Sequence, residues 1–376
     1  MCQKLDFILK NNFMTNKVRE SNIELLRIIL MIMIITHHVI VHSLGLNYEQ
    51  SLALHDLSIY YKIFVNSFVV LGVNTFVFIS GYYGMKFKIK TVISFTLQAV
   101  FYSVGIYLFF LILNHNRFEF KVFVLNFIPI SKYTWWFLSL FLGLYFISPI
   151  LNKGFDLLEH RSKIITLVGL VYFDSFSSFW WHSGLSGDGY SIFHFIVLYL
   201  IARYLSVMVT KIKKPLLYLI LSTFILVTIA FLLLYNGKIS RLSILFSYNN
   251  PILMFSSIML FYVFKNIKIQ SKFINTISGL VFGIYLLHDH ESVRDFICKY
   301  ISKVQTNYFG FEFLICILSA ITLIFIISAF IEYIRKIVFD ALLNKIEFYW
   351  ENNDQIQKKK EIITHYIKRI FDLSYV

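Results

Sequence analysis

Residues 23–43, IELLRIILMIMIITHHVIVHS, form an apolar run that nevertheless carries Glu24, Arg27, His37, His38 and His42. About 20 apolar residues span the ~30 Å of bilayer hydrocarbon, and there a single segment satisfies its own backbone only as a helix. Ionisable groups inside a span are expensive and face a partner or a polar cavity. Arg27 and His38 are eleven positions apart. At ~100° per residue that comes to within about 20° of three full turns, so both project from one face, ~16 Å apart along the axis. His37 lies about 80° off that face. Glu24 stands one turn from Arg27 and can pair with it.

The rest of the chain repeats the apolar pattern. Of 376 residues, 58% are hydrophobic and only 15% charged, against about 25% charged in soluble domains. Nine further runs follow, at about 59–83, 91–113, 133–151, 164–179, 191–209, 215–235, 250–264, 274–288 and 312–333. The net charge of +14 does not imply nucleic acid, because the basic residues sit in short segments between runs, where they set topology and meet lipid headgroups. Lys and Arg number 24 on the side of the N-terminus, 86–90, 153–163, 211–214, 265–272 and the tail, and 9 on the other. That bias puts both termini in the cytoplasm. The expected fold is an all-α integral membrane protein: about ten transmembrane helices in a bundle, with a cytoplasmic C-terminal amphipathic tail. Three segments are expected: a cytoplasmic 1–20, a membrane domain 21–335, and a charged helical tail 336–376 bearing Lys358, Lys359 and Lys360. About 20 polar residues precede the first run without a cleavage site after it, so the run should stay as a signal anchor. Cys2, Cys298 and Cys316 are odd in number and lack CxxC spacing, which argues against a disulfide framework or a metal site.

Four constellations carry chemistry. Arg27 with His38 is the first. A snorkelling Arg and a His bonded across the bundle would be its structural reading; an imidazole, largely neutral near pH 7, also suits a general base. The second is FVFISGYYG, 76–84, where Ser80, Gly81 and Tyr82 end a span. A small-residue break serves close helix contact, or exposes amides to a ligand. The third is the outer rim of Trp135, Trp136, Trp180, Trp181, His182, Asp188 and Tyr190. Aromatics there form an anchoring belt, and beside Asp and His they equally suit a sugar. The fourth is YLLHDH, 285–290, with Tyr285 and His288. Arg203 and His194 in the sixth run read as a snorkelling residue and a span-end histidine.

With these residues in place, the chain resembles the membrane acyltransferase 3 family, which includes polysaccharide O-acetyltransferases. The resemblance rests on Arg27 and His38 in NIELLRIILMIMIITHH, on FVFISGYYG, WWFLSLFLGLYFISPIL and FGIYLLH, and on GYSIFHFIVLYLIARYL at 189–205. It runs from about 21 to 333, and the order and spacing of the stretches carry it more than any one of them. The extracytoplasmic hydrolase domain of some members is absent from this sequence. The resemblance implies transfer of an acyl group, usually acetyl from acetyl-CoA, to a carbohydrate hydroxyl, with no metal. The resemblance puts roles on His38 (with His37 adjacent) and Arg27; the residues themselves add Glu24 as a catalytic candidate and Ser80, Gly81 and Tyr82 as candidate donor contacts beside Arg27. Acceptor contacts would fall to Trp135, Trp136, Trp181, Asp188, Tyr190, Tyr285 and His288.

Three function classes fit a buried His and Arg in a multi-span bundle. One is an O-acyltransferase of the cell membrane, acting on a cell-surface or capsular polysaccharide or a lipid-linked glycan, with succinyl or another acyl group as a variant. A transporter or flippase of lipid-linked glycan would use the same groups for proton coupling, but no inverted repeat is visible. A scaffold would not need the buried charges.

Overall fold

Each long apolar run is helical in the computed structural model, which describes residues 20–46, 57–115, 117–176 and 186–351; no strand occurs among them. Helix α1, Ser21–His38, continues as a π-helical turn, Val39–Ser43. Next come α2 (Leu57–Val69), α3 (Gly72–Tyr83), α4 (Ile89–Leu113), α5 (Phe120–Leu125), α6 (Trp136–Leu157) and α7 (His160–Val171). The second half holds α8 (Ile192–Met208), α9 (Pro215–Tyr235), α10 (Ser240–Leu245), α11 (Pro251–Lys265) and α12 (Lys272–Ser278). It closes with α13 (Val281–His288), α14 (Glu291–Asn307) and α15 (Gly310–Glu351). Local chemistry sets several starts. Pro215 and Pro251 occupy first helical positions, and the Asn250 side chain accepts from the Ile252 amide at 2.8 Å, an arrangement that satisfies an otherwise orphaned donor.

Among the described residues, six helical stretches are long and apolar enough to cross a membrane: Ser21–Ser43, Ser58–Tyr83, Ile89–Leu113, Trp136–Leu157, Pro215–Tyr235 and Gly310–Phe339. Three more expected runs are shorter apolar helices, Ile192–Met208, Pro251–Lys265 and Lys272–His288. The remaining one, 164–179, is represented by the end of α7 and a π-helical turn, Tyr172–Phe176. By length, six of the expected spans are found among the described residues, with three shorter apolar helices beside them. The short helices need not face a full thickness of lipid, since α8 and α11 lie in the interior, with Phe195, Tyr199, Phe261 and Tyr262 fully buried. The last helix runs unbroken past residue 335 to Glu351; the 358–360 lysines lie outside the described residues.

Close helix approach organises the centre. A Cβ at Gly81 would stand 2.5 Å from the Tyr199 carbonyl oxygen, and one at Gly72 2.9 Å from Ile34 Cγ1. These contacts bring α3 against α8 and α1, as small residues do in membrane bundles. On the other side, buried Glu332 of α15 is held by Arg335 (2.7 Å to each oxygen), Tyr102 Oη (2.7 Å) and Gln98 Nε2 (3.0 Å) of α4. Its charge is paired and its lone pairs are filled, the condition on which such a group is tolerated away from water.

Candidate active site

One cavity of about 320 Å³ touches both Arg27 and His38. Its walls between them are largely apolar, with Ile34, Phe76, Phe95 and Phe282 among them. The common helical face thus opens onto a single space. At one end the Arg27 side chain is 40% exposed and lies 3.8 Å from Glu24. Glu24 also accepts a hydrogen bond from Ser278 Oγ, tying α1 to α12. It stands ~21 Å along the helix from His38, too far to act on the same reacting atoms. The structure places the Glu24 carboxylate beside Arg27 and not beside His38.

The mouth at this end has a part that the sequence reading took only as a topology marker. Between α3 and α4, residues 84–88 are pinned by three side chains. Tyr199 Oη accepts from the Met85 amide (2.9 Å), and Tyr145 Oη accepts from the Lys88 amide (2.9 Å) while donating to the Lys86 carbonyl (2.8 Å). Asn152 donates to the Met85 carbonyl at 3.0 Å. Gly84, at φ +71°, makes the turn that starts the segment, a conformation favouring glycine. Met85 and Thr91 line the cavity while Lys86 and Lys88 stay exposed, so a pinned segment of the cavity wall, the basic rim, carries two exposed cations.

At the other end, His38 Nδ1 lies 3.4 Å from Asp289 Oδ1, and Arg294 Nη1 stands 3.8 Å from the same oxygen. The rings of His288, His42 and His37 lie 5.3, 5.5 and 6.0 Å from that of His38. Asp289 occupies the buried turn between α13 and α14. Burial pushes its carboxyl up to about 7, with the Arg294 guanidinium pulling the other way; desolvation disfavours the charged form. Tyr285 Oη is buried, lines the same cavity and faces Asp289. Asp289 was missed by the sequence reading, although it lies inside the quoted YLLHDH; an acid directly after a span-end histidine was the available signal.

His37 points elsewhere, with Nδ1 2.7 Å from Asn66 Oδ1. Ser80 lines the cavity and donates back to the Phe76 carbonyl at 3.1 Å. Gly81 and Tyr82, expected as donor contacts, do not reach it. Gly81 is consumed by the contact with α8, and the Tyr82 ring packs 4.6 Å from Phe261 under Lys265.

Of the expected acceptor residues, Trp136 lines the cavity beside Tyr285. It packs 4.5 Å from the half-exposed Tyr190 ring and stacks at 5.9 Å on Tyr248. Trp135 is instead fully buried, edge-on to His290 at 5.6 Å. Asp188 is exposed in a 3₁₀ turn at φ 55° and accepts from the Tyr248 amide through its backbone. His288 donates Nδ1–H to the Ile284 carbonyl at 2.7 Å, which leaves a buried Nε2 with no partner among the described residues. Trp180, Trp181 and His182 lie outside the described residues. Among those described, no three His, Cys, Asp or Glu side chains gather as a metal site would require.

A second buried histidine has a different setting. His194 Nδ1 lies 2.8 Å from Asp174 Oδ2 and its Nε2 3.1 Å from Asn74 Oδ1. The other Asp174 oxygen accepts from Ser186 Oγ at 2.6 Å.

Residues 20–331 match the family model for acyltransferase 3, described as an acyltransferase domain. Neither the curated proteins nor the solved structures contain a match. The matched region takes in α1, the 84–88 rim, and the turn that carries Asp289. The chain belongs to the acyltransferase 3 family of membrane acyltransferases.

Proposed function

We propose that this protein transfers an acetyl group from acetyl-CoA to a hydroxyl of a cell-surface or capsular polysaccharide. The observation that carries this reading is the single cavity joining Arg27 to His38, with Asp289 beside the imidazole. A bulky phosphorylated head fits the Arg27 end, because a guanidinium binds phosphate through its planar fork and exposed Lys86 and Lys88 add charge beside it. With both termini cytoplasmic, as the Lys and Arg bias argues, this mouth faces the coenzyme pool of the cytoplasm. The apolar walls then suit the pantetheine arm, leaving the thioester near His38.

His38 takes the proton of the acceptor hydroxyl as its oxygen bonds to the acyl carbon. The tetrahedral intermediate collapses with loss of the C–S bond, and the proton passes to the departing thiolate. Asp289 orients the imidazole and stabilises it when it is charged. The oxyanion needs a donor held ready for it, and Tyr285 Oη, bordering the same cavity, supplies one. Trp136 and Tyr190 offer ring faces to a sugar approaching from the His38 end.

The test is transfer of radiolabel from acetyl-CoA to cell-wall glycans by purified protein in lipid. Label should appear with wild type and with His37→Ala, and fall about 10²–10⁴-fold with His38→Ala, the usual worth of a general base. Loss with His37→Ala alone would move the base by one residue. No transfer by wild type, with lipid-linked glycan crossing the bilayer instead, would overturn the reading in favour of transport.

A further inference from the structure

Two spaces on the far side of His288 are left unexplained by the acyl-transfer site. The larger is an apolar groove of about 550 Å³ between α4, α14 and α15, walled by Phe101, Phe109, Phe296, Ile324 and Ile327 and reaching His288. Gly105 forms part of it, and a Cβ there would meet nothing within 4 Å. The second is a polar basin of about 590 Å³ that shares Phe110 and Phe296 with the groove. Its charged lining is Arg117, Lys299, Glu119 and Asp295. The first turn of α14 separates this basin from the catalytic cluster. Ser292 and Asp295 face the basin, whereas Arg294 borders a small space shared by His38, His288 and Ser43.

We propose that the groove and basin seat the acceptor's lipid carrier, a polyisoprenyl phosphate sugar. Its hydrocarbon chain lies in the groove, its phosphate meets Arg117 and Lys299, and its first sugar hydroxyls meet Asp295 and Glu119. The inference deepens the acyltransferase reading and rests on it for the chemistry that follows binding. Three observations choose this occupant over a bulk phospholipid. There is one groove, and a phospholipid brings two chains. The aromatic walls suit an unsaturated, methyl-branched chain. Two carboxylates in the basin repel a simple anionic headgroup but accept hydrogen bonds from sugar hydroxyls, while the two cations serve the phosphate. The basin lies across the first turn of α14 from Arg294, which shares a small space with His38 and His288, so a seated carrier holds its glycan next to the turn that bounds the catalytic cluster. Tethering of this kind raises the local concentration of a hydroxyl that would otherwise be dilute.

The experiment uses the full chain in phosphatidylcholine nanodiscs and a polyisoprenyl phosphate glucose with a photoreactive diazirine in its chain. Wild type should be labelled within α4 or α15. Unlabelled polyisoprenyl phosphate glucose should suppress that labelling, and phosphatidylethanolamine at the same mole fraction should not. Gly105→Phe fills the groove from a position with room for a side chain and should sharply reduce labelling by excluding the chain sterically. Lys299→Glu should weaken labelling without touching the groove, and both variants should still transfer acetyl to a chain-free glycoside at the wild-type rate. Equal labelling in wild type and Gly105→Phe would overturn the inference, as would equal competition by phosphatidylethanolamine, which would mark an ordinary lipid contact. No labelling of wild type, with its transfer to soluble sugar intact, would refute the carrier seat alone. Specific labelling without transfer to either acceptor would refute the acyltransferase reading and leave the seat standing.

Discussion

Two histidines of this chain sit beside buried aspartates, and the two pairs are built in opposite ways. His194 and Asp174 are both fully buried, 2.8 Å apart, with Asn74 on the second ring nitrogen and Ser186 on the second carboxylate oxygen. Asn249 adds bonds to the Asp174 carbonyl and to Ser186 Oγ, at 2.9 and 3.1 Å. This network joins α3, α8 and the turns around 174 and 186, and both ring nitrogens are occupied. His38 and Asp289 stand 3.4 Å apart beside an open cavity, and His38 Nδ1 makes no hydrogen bond among the described residues. A satisfied buried network fixes a conformation. A loosely engaged pair beside a cavity keeps a proton acceptor for a substrate, and catalytic bonds commonly tighten only when the substrate is bound.

The largest expected effects would break this contrast outright. His38→Ala should lower transfer about 10²–10⁴-fold while leaving the thermal unfolding temperature in detergent near that of wild type. Asp174→Ala should do the reverse. Removing one partner of a buried pair costs about 3–5 kcal/mol, so the melting temperature should fall steeply while the protein that stays folded turns over normally. If His38→Ala unfolded the protein and Asp174→Ala abolished only turnover, the assignment of the two pairs would be inverted.

Smaller effects sharpen it. Gly81→Leu would force a side chain against the Tyr199 carbonyl and should cost about 1–3 kcal/mol of stability, with the KM for acetyl-CoA little changed because Gly81 does not reach the cavity. The Asp289 carboxyl, pushed up to about 7 by burial, should impart an acid limb to kcat. Below that pH it is protonated and cannot stabilise a charged imidazole; above it the carboxylate is available, so the rate rises with pH. Asp289→Asn should lower kcat and flatten that limb, whereas a merely structural aspartate would leave the pH profile in place. His37→Ala, which loses the hydrogen bond with Asn66, should change transfer by less than about tenfold.

Much of this site was legible because it lies on one helix. The separation of Arg27 and His38 fixes their common face through helical geometry alone, and His37 was set off that face by the same arithmetic. Trp136 and Tyr285 were singled out and both line the cavity. Other residues needed a neighbour to be placed. Glu24 pairs with Arg27 as the helical spacing indicates, but its bond from Ser278, which ties it to another helix, has no signal in the sequence. Gly81 ends a span in the sequence, and whether its missing Cβ admits a ligand or another helix depends on where α8 lies. Trp135 and Trp136 are adjacent yet diverge, one into the core and one into the cavity, as successive positions at a helix start do.

The sequence by itself determined the helical character of the chain, the apolar spans and the Arg27–His38 face, because hydropathy and helical phase are local properties of a run of residues. Only the tertiary structure decided which acid reaches His38, which tyrosines and asparagine pin the basic rim, and which of two buried histidines is left with an open side. Those outcomes depend on contacts between helices far apart in the chain. In the bilayer these are set by close fitting of side chains and pairing of scarce polar groups, neither of which leaves a periodic signal in any one segment.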